Sequence, residues 1–356
     1  VHPNLQEQVM TRCRLAVVGA GTIGKTHIQT ALSMPDLEVV AVAESSPGAA
    51  DWVRAQGLCC EGSLPDLLAR HAPDAVVLAT PNDCHADHAV MALEAGAVVL
   101  VEKPIADTVD AAQRIVAAAE RTGRAVLVGH QRRHNPIMRQ AKAMVDAGQL
   151  GRPVCVTGMA TWYKDEAYFG PAWRRSLSGG PVLINLIHDV DLMRYLFGDI
   201  VALQAMTSNA TRGFEAEDTA VVNFQFANGA LGTFTLSDTA VAPWNYDLGG
   251  QETTRFAQQE VSALFFSGTH GSLALPRLDF WHYTGERHWE RPLTVTRSLP
   301  LMQSPYRLQL ENLFAVWRGT AQPVCSAQDG LRALEVAWAV RASAESGQRV
   351  ALNVYK

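Results

Sequence analysis

Five short, continuously apolar runs recur through roughly the first 130 residues: Leu15–Val18, Val39–Val42, Ala75–Leu78, Val98–Val101 and Val126–Val128. Strands with one wet face alternate apolar and polar residues; runs without alternation are covered on both faces, as in a parallel sheet flanked by helices. The stretches between them, Lys25 to Met34, Asn82 to Ala95 and Asp107 to Thr122, carry helical patterns, and Gly96 and Gly123 close two of them. Strand and helix in alternation predict a doubly wound α/β (Rossmann) domain, placed at residues 1–133.

From about Arg152 the texture changes. Val154 to Trp162, Val201 to Thr207, Thr219 to Phe226, Ala230 to Leu236 and Val261 to Phe266 read as strands with polar residues interleaved, and Asn228-Gly229 forms a hairpin signal. This predicts a large, mainly antiparallel open sheet. Helical patterns at Leu183 to Phe197, Tyr306 to Arg318 and Asp329 to Glu345 accompany it, and Ala242 to Gln259 reads as a long loop. The second domain is placed at residues 134–356.

A length of 356 residues with 48% hydrophobic content supports two cores. The net charge of −5, without a basic block, argues against nucleic acid or an anionic membrane as partner. No apolar run reaches the length of a membrane span, and Val1–Gln8 lacks the pattern of a signal peptide. The six cysteines show no metal-type spacing. They read as reduced thiols of a cytoplasmic protein, and no metal site is expected.

Gly19-Ala20-Gly21-Thr22-Ile23-Gly24 follows the first apolar run and opens a helix. In such a loop the first glycine makes the tight turn, the second admits a pyrophosphate, and the third lets helix pack on strand. The N–H groups at Thr22 and Ile23 belong to a helix N-terminus, which favours phosphate. Glu44 ends the next run, where a carboxylate accepts the ribose hydroxyls of NAD and repels the 2′-phosphate of NADP. Ser45 and Ser46 leave NADP open, with NAD preferred. Glu102-Lys103-Pro104 follows another apolar run, and ligands in doubly wound sheets lie beyond the strands' carboxyl ends.

These features, with Thr80-Pro81-Asn82-Asp83-Cys84-His85, Ala92–Gly96, His130–Pro136, Gly148–Gly151 and Asp329–Leu334, resemble the glucose–fructose oxidoreductase / inositol dehydrogenase / rhizopine-catabolism (Gfo/Idh/MocA) family. The resemblance runs in order through nearly the whole chain. It implies that Thr80, Pro81 and Asn82, with His85 in the same motif, line the nicotinamide side of the cofactor. It also implies that Lys103, flanked by Glu102, is the active-site lysine, and that the open sheet packs against another subunit in a homodimer or homotetramer.

Gly179-Gly180-Pro181 leads into a helical pattern on which Asn185, His188 and Asp191 stand three apart, and so share a face. By the resemblance the catalytic histidine falls on His188. The commonest family pattern has Asp four residues before that histidine; here the position is Ile184, which speaks against a simple inositol dehydrogenase. Asn185 and Asp189 are candidates for binding substrate, and Asp189 or Asp191 for orienting His188. Tyr163, Tyr168, Trp173, Arg174 and Arg175 form an aromatic and basic cluster suited to sugar rings or carboxylates, or to covering an interface.

The expected reaction is hydride transfer between nicotinamide and a secondary alcohol or ketone of a sugar, cyclitol or related polyol. His188 would take the hydroxyl proton and Lys103 stabilise the alkoxide. The alternatives are an NAD-dependent glycosidase of the same family and a non-catalytic NAD(P)-binding protein.

Overall fold

The structure, a computed structural model, describes residues 12–253 and 255–352. Val1–Gln8, read above for a signal peptide, lies outside the described residues. The chain forms two compact units: residues up to Gly129 together with Tyr306–Gly330, and His130–Pro305 together with the chain from Leu331 onward.

In the first unit the elements alternate as the apolar runs predict. They are β1 (Cys13–Val18), α1 (Thr22–Leu32), β2 (Leu37–Ala43), α2 (Pro47–Ala55), β3 (Cys60–Glu61), α3 (Leu64–His71), β4 (Ala75–Leu78), α4 (His85–Glu94), β5 (Val98–Glu102), α5 (Val109–Thr122) and β6 (Val126–Gly129). The six strands pair in the order β3-β2-β1-β4-β5-β6, all parallel. The order reverses between β1 and β4, the switch point beside which doubly wound sheets bind ligands. Local chemistry sets the helix limits: the Thr108 side chain accepts from Ala111 N at the start of α5, and Gly123 ends that helix at φ 65°.

The second unit begins with α6 (Pro136–Asp146) and β7 (Pro153–Thr161), and α7 (Ile187–Phe197) follows a π-helical turn at Val182–Leu186. Next come β8 (Ile200–Ser208), β9 (Thr219–Phe226), β10 (Leu231–Ser237), the short α8 (Tyr246–Gly249), β11 (Leu264–Gly268), β12 (Gly271–Leu275), β13 (Asp279–His282) and β14 (Thr294–Arg297). The chain closes with α9 (Pro305–Trp317), α10 (Ala327–Ser346) and β15 (Val350–Ala351). Nine strands form one sheet in the order β14-β13-β12-β11-β7-β10-β9-β8-β15. Only β7 and β10 pair in parallel; the other neighbours are antiparallel. In β9, Ala220, Val222, Phe224 and Phe226 are buried while Val221, Asn223 and Gln225 are exposed, the alternation of a sheet covered on one face.

Five strands go beyond the sequence expectation: β3 and β15 have only two residues each, β12 to β14 only four or five, and β14 is exposed throughout. The helix α9 belongs with the first unit: its Leu310, Leu313 and Val316 are buried in a core with Leu15, Val17, Ile28 and Leu100.

Candidate functional site

The first unit displays its functional groups at strand ends. After β1, Gly19 takes φ 91°, a left-handed backbone that glycine adopts without strain. A Cβ there would also meet the Ala79 carbonyl oxygen at 2.6 Å, and one on Gly24 would lie 2.0 Å from the Gly19 oxygen. A Cβ on Gly21 would meet nothing within 4 Å. The outer glycines therefore close the turn on itself, and the middle one leaves open space in front of α1. Gly21 is the N-cap of that helix and no side chain caps it, so the first-turn N–H groups at Thr22 and Ile23 face outward without an intrahelical acceptor. Glu44, beyond β2, bends over the loop: Oε2 accepts from Ala20 N and Oε1 from Ser46 N, each at 2.7 Å. Each carboxylate oxygen keeps a second lone pair, as two ribose hydroxyls require. An open glycine cradle, an uncapped helix start and an anchored carboxylate fit a dinucleotide.

Beyond β4, Pro81 and Asn82 are exposed and Thr80 is half-buried. His85 is fully buried behind them, with Nδ1 2.9 Å from the Pro104 carbonyl and Nε2 2.9 Å from the Thr80 carbonyl. It thus ties the loop after β4 to the loop after β5. Burial lowers its pKa, against the two carbonyls, which raise it.

At the end of β5, Glu102 Oε1 accepts from His27 Nε2 at 2.7 Å, and Oε2 accepts from Lys103 N at 3.2 Å. His27 is fully buried on α1 and stands edge-on to Tyr306, with ring centroids 5.7 Å apart. Burial alone would raise the Glu102 pKa; the His27 hydrogen bond and the charges of His27 and Lys103 outweigh it and hold the carboxyl below its usual range. An ionised carboxylate, locked by a buried histidine, therefore fixes the backbone that presents Lys103. The Lys103–Pro104 bond is cis.

In the second unit the site is assembled by ion pairs. Arg132 donates to Asp189 and to Asp247, each at 2.9 Å, with its guanidinium 4.5 Å from the Tyr246 ring centre. Arg133 holds Asp191 with two bonds of 2.8 and 2.6 Å, a bidentate fork. Asn135 donates to Glu252 at 3.0 Å, and the Tyr246 hydroxyl donates to the same oxygen at 2.9 Å. Burial pushes the Asp189 carboxyl up to about 7; Arg132 opposes this and Asp247 adds to it.

His188, near the start of α7, is buried and sets its ring edge-on to His130 at 5.9 Å. Asn185 lies in the π-helical turn just before, and its Oδ1 accepts from Lys164 Nζ at 2.7 Å. The shared face expected for Asn185, His188 and Asp191 resolves into separate attachments, Asn185 to Lys164 and Asp191 to Arg133. Glu217 Oε1 accepts from Val182 N at 2.9 Å and supports the turn from behind; Gly180 leaves room for it, since a Cβ there would lie 2.3 Å from that oxygen.

Tyr163 and Trp173 are about half exposed, at 54% and 52%. Arg174 stacks over Tyr168 at 4.1 Å and Trp173 at 5.3 Å, and Lys164 lies over Tyr168 at 4.5 Å. Tyr168, Trp173 and Arg174 thus pack together with Lys164, while the Tyr163 ring lies 5.7 Å from the Arg212 guanidinium. Sequence reasoning did not single out His27 or Lys164. The signal for His27 was its place three residues after Gly24, on the buried side of α1; for Lys164, its adjacency to Tyr163. Among the described residues no helix is long and apolar enough to cross a membrane.

Two family models match the chain. Residues 13–130 match the oxidoreductase family with an NAD-binding Rossmann fold, and residues 138–274 match the GFO/IDH/MocA C-terminal domain. Among curated proteins, the chain is 28% identical to scyllo-inositol 2-dehydrogenase (NAD(+)) of Bacillus subtilis over 354 residues, covering 96% of each chain. It is 29% identical to inositol 2-dehydrogenase of Rubrobacter xylanophilus over 351 residues, covering 94% of this chain and 92% of that one. Among solved structures, the WlbA dehydrogenase from Bordetella pertussis in complex with NADH and UDP-GlcNAcA is 27% identical, with a TM-score of 0.79, covering 97% of this chain and all of that one. The glycine loop, the strand-end Lys103 and both family matches lead to one conclusion: the chain belongs to the Gfo/Idh/MocA family and is an oxidoreductase with an NAD-binding Rossmann domain.

Proposed function

We propose that the protein oxidises a secondary alcohol of a cyclitol, sugar or related polyol, or reduces the matching ketone. The observation that carries this is Lys103 at the end of β5, its backbone held by a buried, ionised Glu102 that His27 locks in place. The inositol dehydrogenases among the relatives support the substrate class.

Bound NAD supplies the hydride acceptor at its nicotinamide ring. Gly19, Gly21, Thr22, Ile23 and Gly24 form the cradle for its phosphates, and Glu44 takes its adenosine ribose hydroxyls, so NAD is favoured over NADP. Thr80, Pro81 and Asn82 border the nicotinamide side, with His85 holding that loop from behind. His188 accepts the hydroxyl proton as the C–H electron pair leaves the carbinol carbon as hydride, and Lys103 donates a hydrogen bond to the developing alkoxide. Asn185, oriented by Lys164, binds a substrate hydroxyl, and Tyr163, Trp173 and Arg174 present ring faces and a guanidinium to the rest of the substrate. Asp189 acts through Arg132, as a positioning residue.

The open face of the large sheet exposes Met206, Val221, Leu231 and Phe265, an apolar set that supports assembly as a homodimer or homotetramer, here placed in the cytoplasm.

Cofactor titration followed by a panel of inositols, aldoses and other polyols tests the reading. NAD should bind more tightly than NADP by about 1–3 kcal/mol, through lost hydrogen bonds and charge repulsion at Glu44. At least one polyol should then drive NAD reduction. Equal or tighter NADP binding would overturn the role of Glu44, and cofactor binding without turnover on any member of the panel would overturn the reaction.

A further inference from the structure

At the β3 edge of the first unit's sheet three side chains of different chemistry converge. Cys59 Sγ lies 3.7 Å from Glu61 Oε1 and 3.7 Å from His71 Nε2, and the last two atoms are 2.9 Å apart. We propose that Cys59, Glu61 and His71 form a binding site for a divalent ion of the zinc class, with water as fourth ligand.

Backbone geometry brings the set together. Cys59 and Glu61 are two residues apart where the chain enters β3, so their side chains project to the same side. Cys60 between them turns the other way and packs against the hydrophobic core. His71 arrives from the last residue of α3.

The spacing suits a metal. Zinc binds thiolate at about 2.3 Å and imidazole or carboxylate at about 2.0–2.2 Å, which in a tetrahedron sets ligand atoms about 3.4–3.6 Å apart. Both sulfur distances are already close to this. The His71–Glu61 edge is shorter because a hydrogen bond spans it, and it opens by about half an ångström when an ion replaces that proton. Thiolate, imidazole and carboxylate are zinc's preferred donors, and thiolate with carboxylate balances the ion's two charges. Binding releases the Cys59 thiol proton, and His71 binds as the neutral tautomer that carries its proton on Nδ1, leaving the Nε2 lone pair to the ion.

The second carboxylate oxygen of Glu61 is held by Arg70 at 2.7 Å, which leaves Oε1 directed at Cys59 and His71. Such outer partners orient the ligands of metal sites. Glu61 is buried and Cys59 exposed, so one side of the set stays open to solvent for the fourth ligand.

The test uses the full chain, stripped with a chelator and titrated with Co²⁺, whose thiolate complexes absorb in the near ultraviolet and whose tetrahedral complexes absorb in the visible. The wild type should saturate at a single equivalent with both bands, and Zn²⁺ should displace them. Cys59→Ser should lose the thiolate band. His71→Ala should weaken binding by at least about tenfold, since loss of outer-shell partners alone costs about 10–100-fold. His71→Gln, which can keep a hydrogen bond to Glu61, should fail in the same way and guards against a folding defect in the alanine variant. Cys155→Ser, which removes another exposed thiol, should bind as wild type. A wild-type titration without a thiolate band, or a band that survives in Cys59→Ser, would overturn the site.

Discussion

The two units hold their functional groups by opposite means. In the first, the groups sit within a few residues of the turns that display them: the glycine loop after β1, Glu44 after β2, Thr80 to Asn82 after β4 and Lys103 after β5. Glu44 is held by the N–H groups of Ala20 and Ser46, so backbone geometry does most of the positioning. In the second, buried charges are paired across long stretches of chain, Arg132 with Asp189 and Asp247, and Arg133 with Asp191. A scaffold built on backbone tolerates loss of a displayed side chain. One built on buried ion pairs does not, because the abandoned partner is left charged and desolvated. Loss of a displayed side chain should therefore strike function in the first unit, and loss of a paired charge should strike folding in the second, with His188 as the informative exception.

The largest effect is expected at Lys103 and His188. Lys103→Met and His188→Ala should each lower turnover by about 10²–10⁴, the usual worth of a positioned acid–base group, and leave the NAD dissociation constant near wild type. The double variant should lose less than the product of the two, because groups acting on one step are not additive. Steady-state rates on a verified substrate, with a separate NAD titration, measure this. Wild-type turnover in His188→Ala would return that histidine to the structural network around it and break the exception.

Arg132 sharpens the contrast from the other side. Arg132→Met should destabilise the fold by about 3–5 kcal/mol in urea unfolding, since Asp189 and Asp247 both lose their counter-charge. The same pair gives a pH signature. The Asp189 carboxyl, at about 7 in the folded chain against an ordinary 3.8, binds more protons folded than unfolded between those values. Stability contributed by this group therefore falls as pH rises from about 4 to about 7 and stays low above that. Asp189→Asn should flatten this part of the stability profile. A profile unchanged in that variant would show that the Asp189–Arg132 pair remains ionised across the range.

The smallest effect in energy, and the cleanest division within one motif, is at the glycines. Gly24→Ala should cost about 1–3 kcal/mol of stability, because its Cβ would sit 2.0 Å from the Gly19 oxygen. Gly21→Val places its side chain in open space, so it should unfold like wild type and fail to bind NAD. Thermal unfolding with and without NAD separates the two. If Gly21→Val is stabilised by NAD as wild type is, the pyrophosphate does not use that space.

Much of this protein is determined by its sequence alone, because the governing properties are local. Unbroken apolar runs require a sheet covered on both faces, Gly19-x-Gly21-x-x-Gly24 requires a tight turn into a helix, and Glu44 and Lys103 are labelled by the strands they end. The alternating strands of the large sheet and the Asn228-Gly229 hairpin are legible for the same reason. The remaining features depend on partners that no local pattern names. α9 reads as an ordinary helix, yet its apolar side completes a core whose strands lie about two to three hundred residues earlier in the chain. His27 is a lone histidine until Glu102 arrives 75 residues later, and no local pattern around Arg132 names the Asp189 and Asp247 that close on it. Cys59 and His71 have no metal-type spacing, and they meet only because a strand and a helix end side by side. Periodicity encodes which face of an element is buried, whereas the identity of the group across from it is set by packing, and buried charge makes that choice decisive.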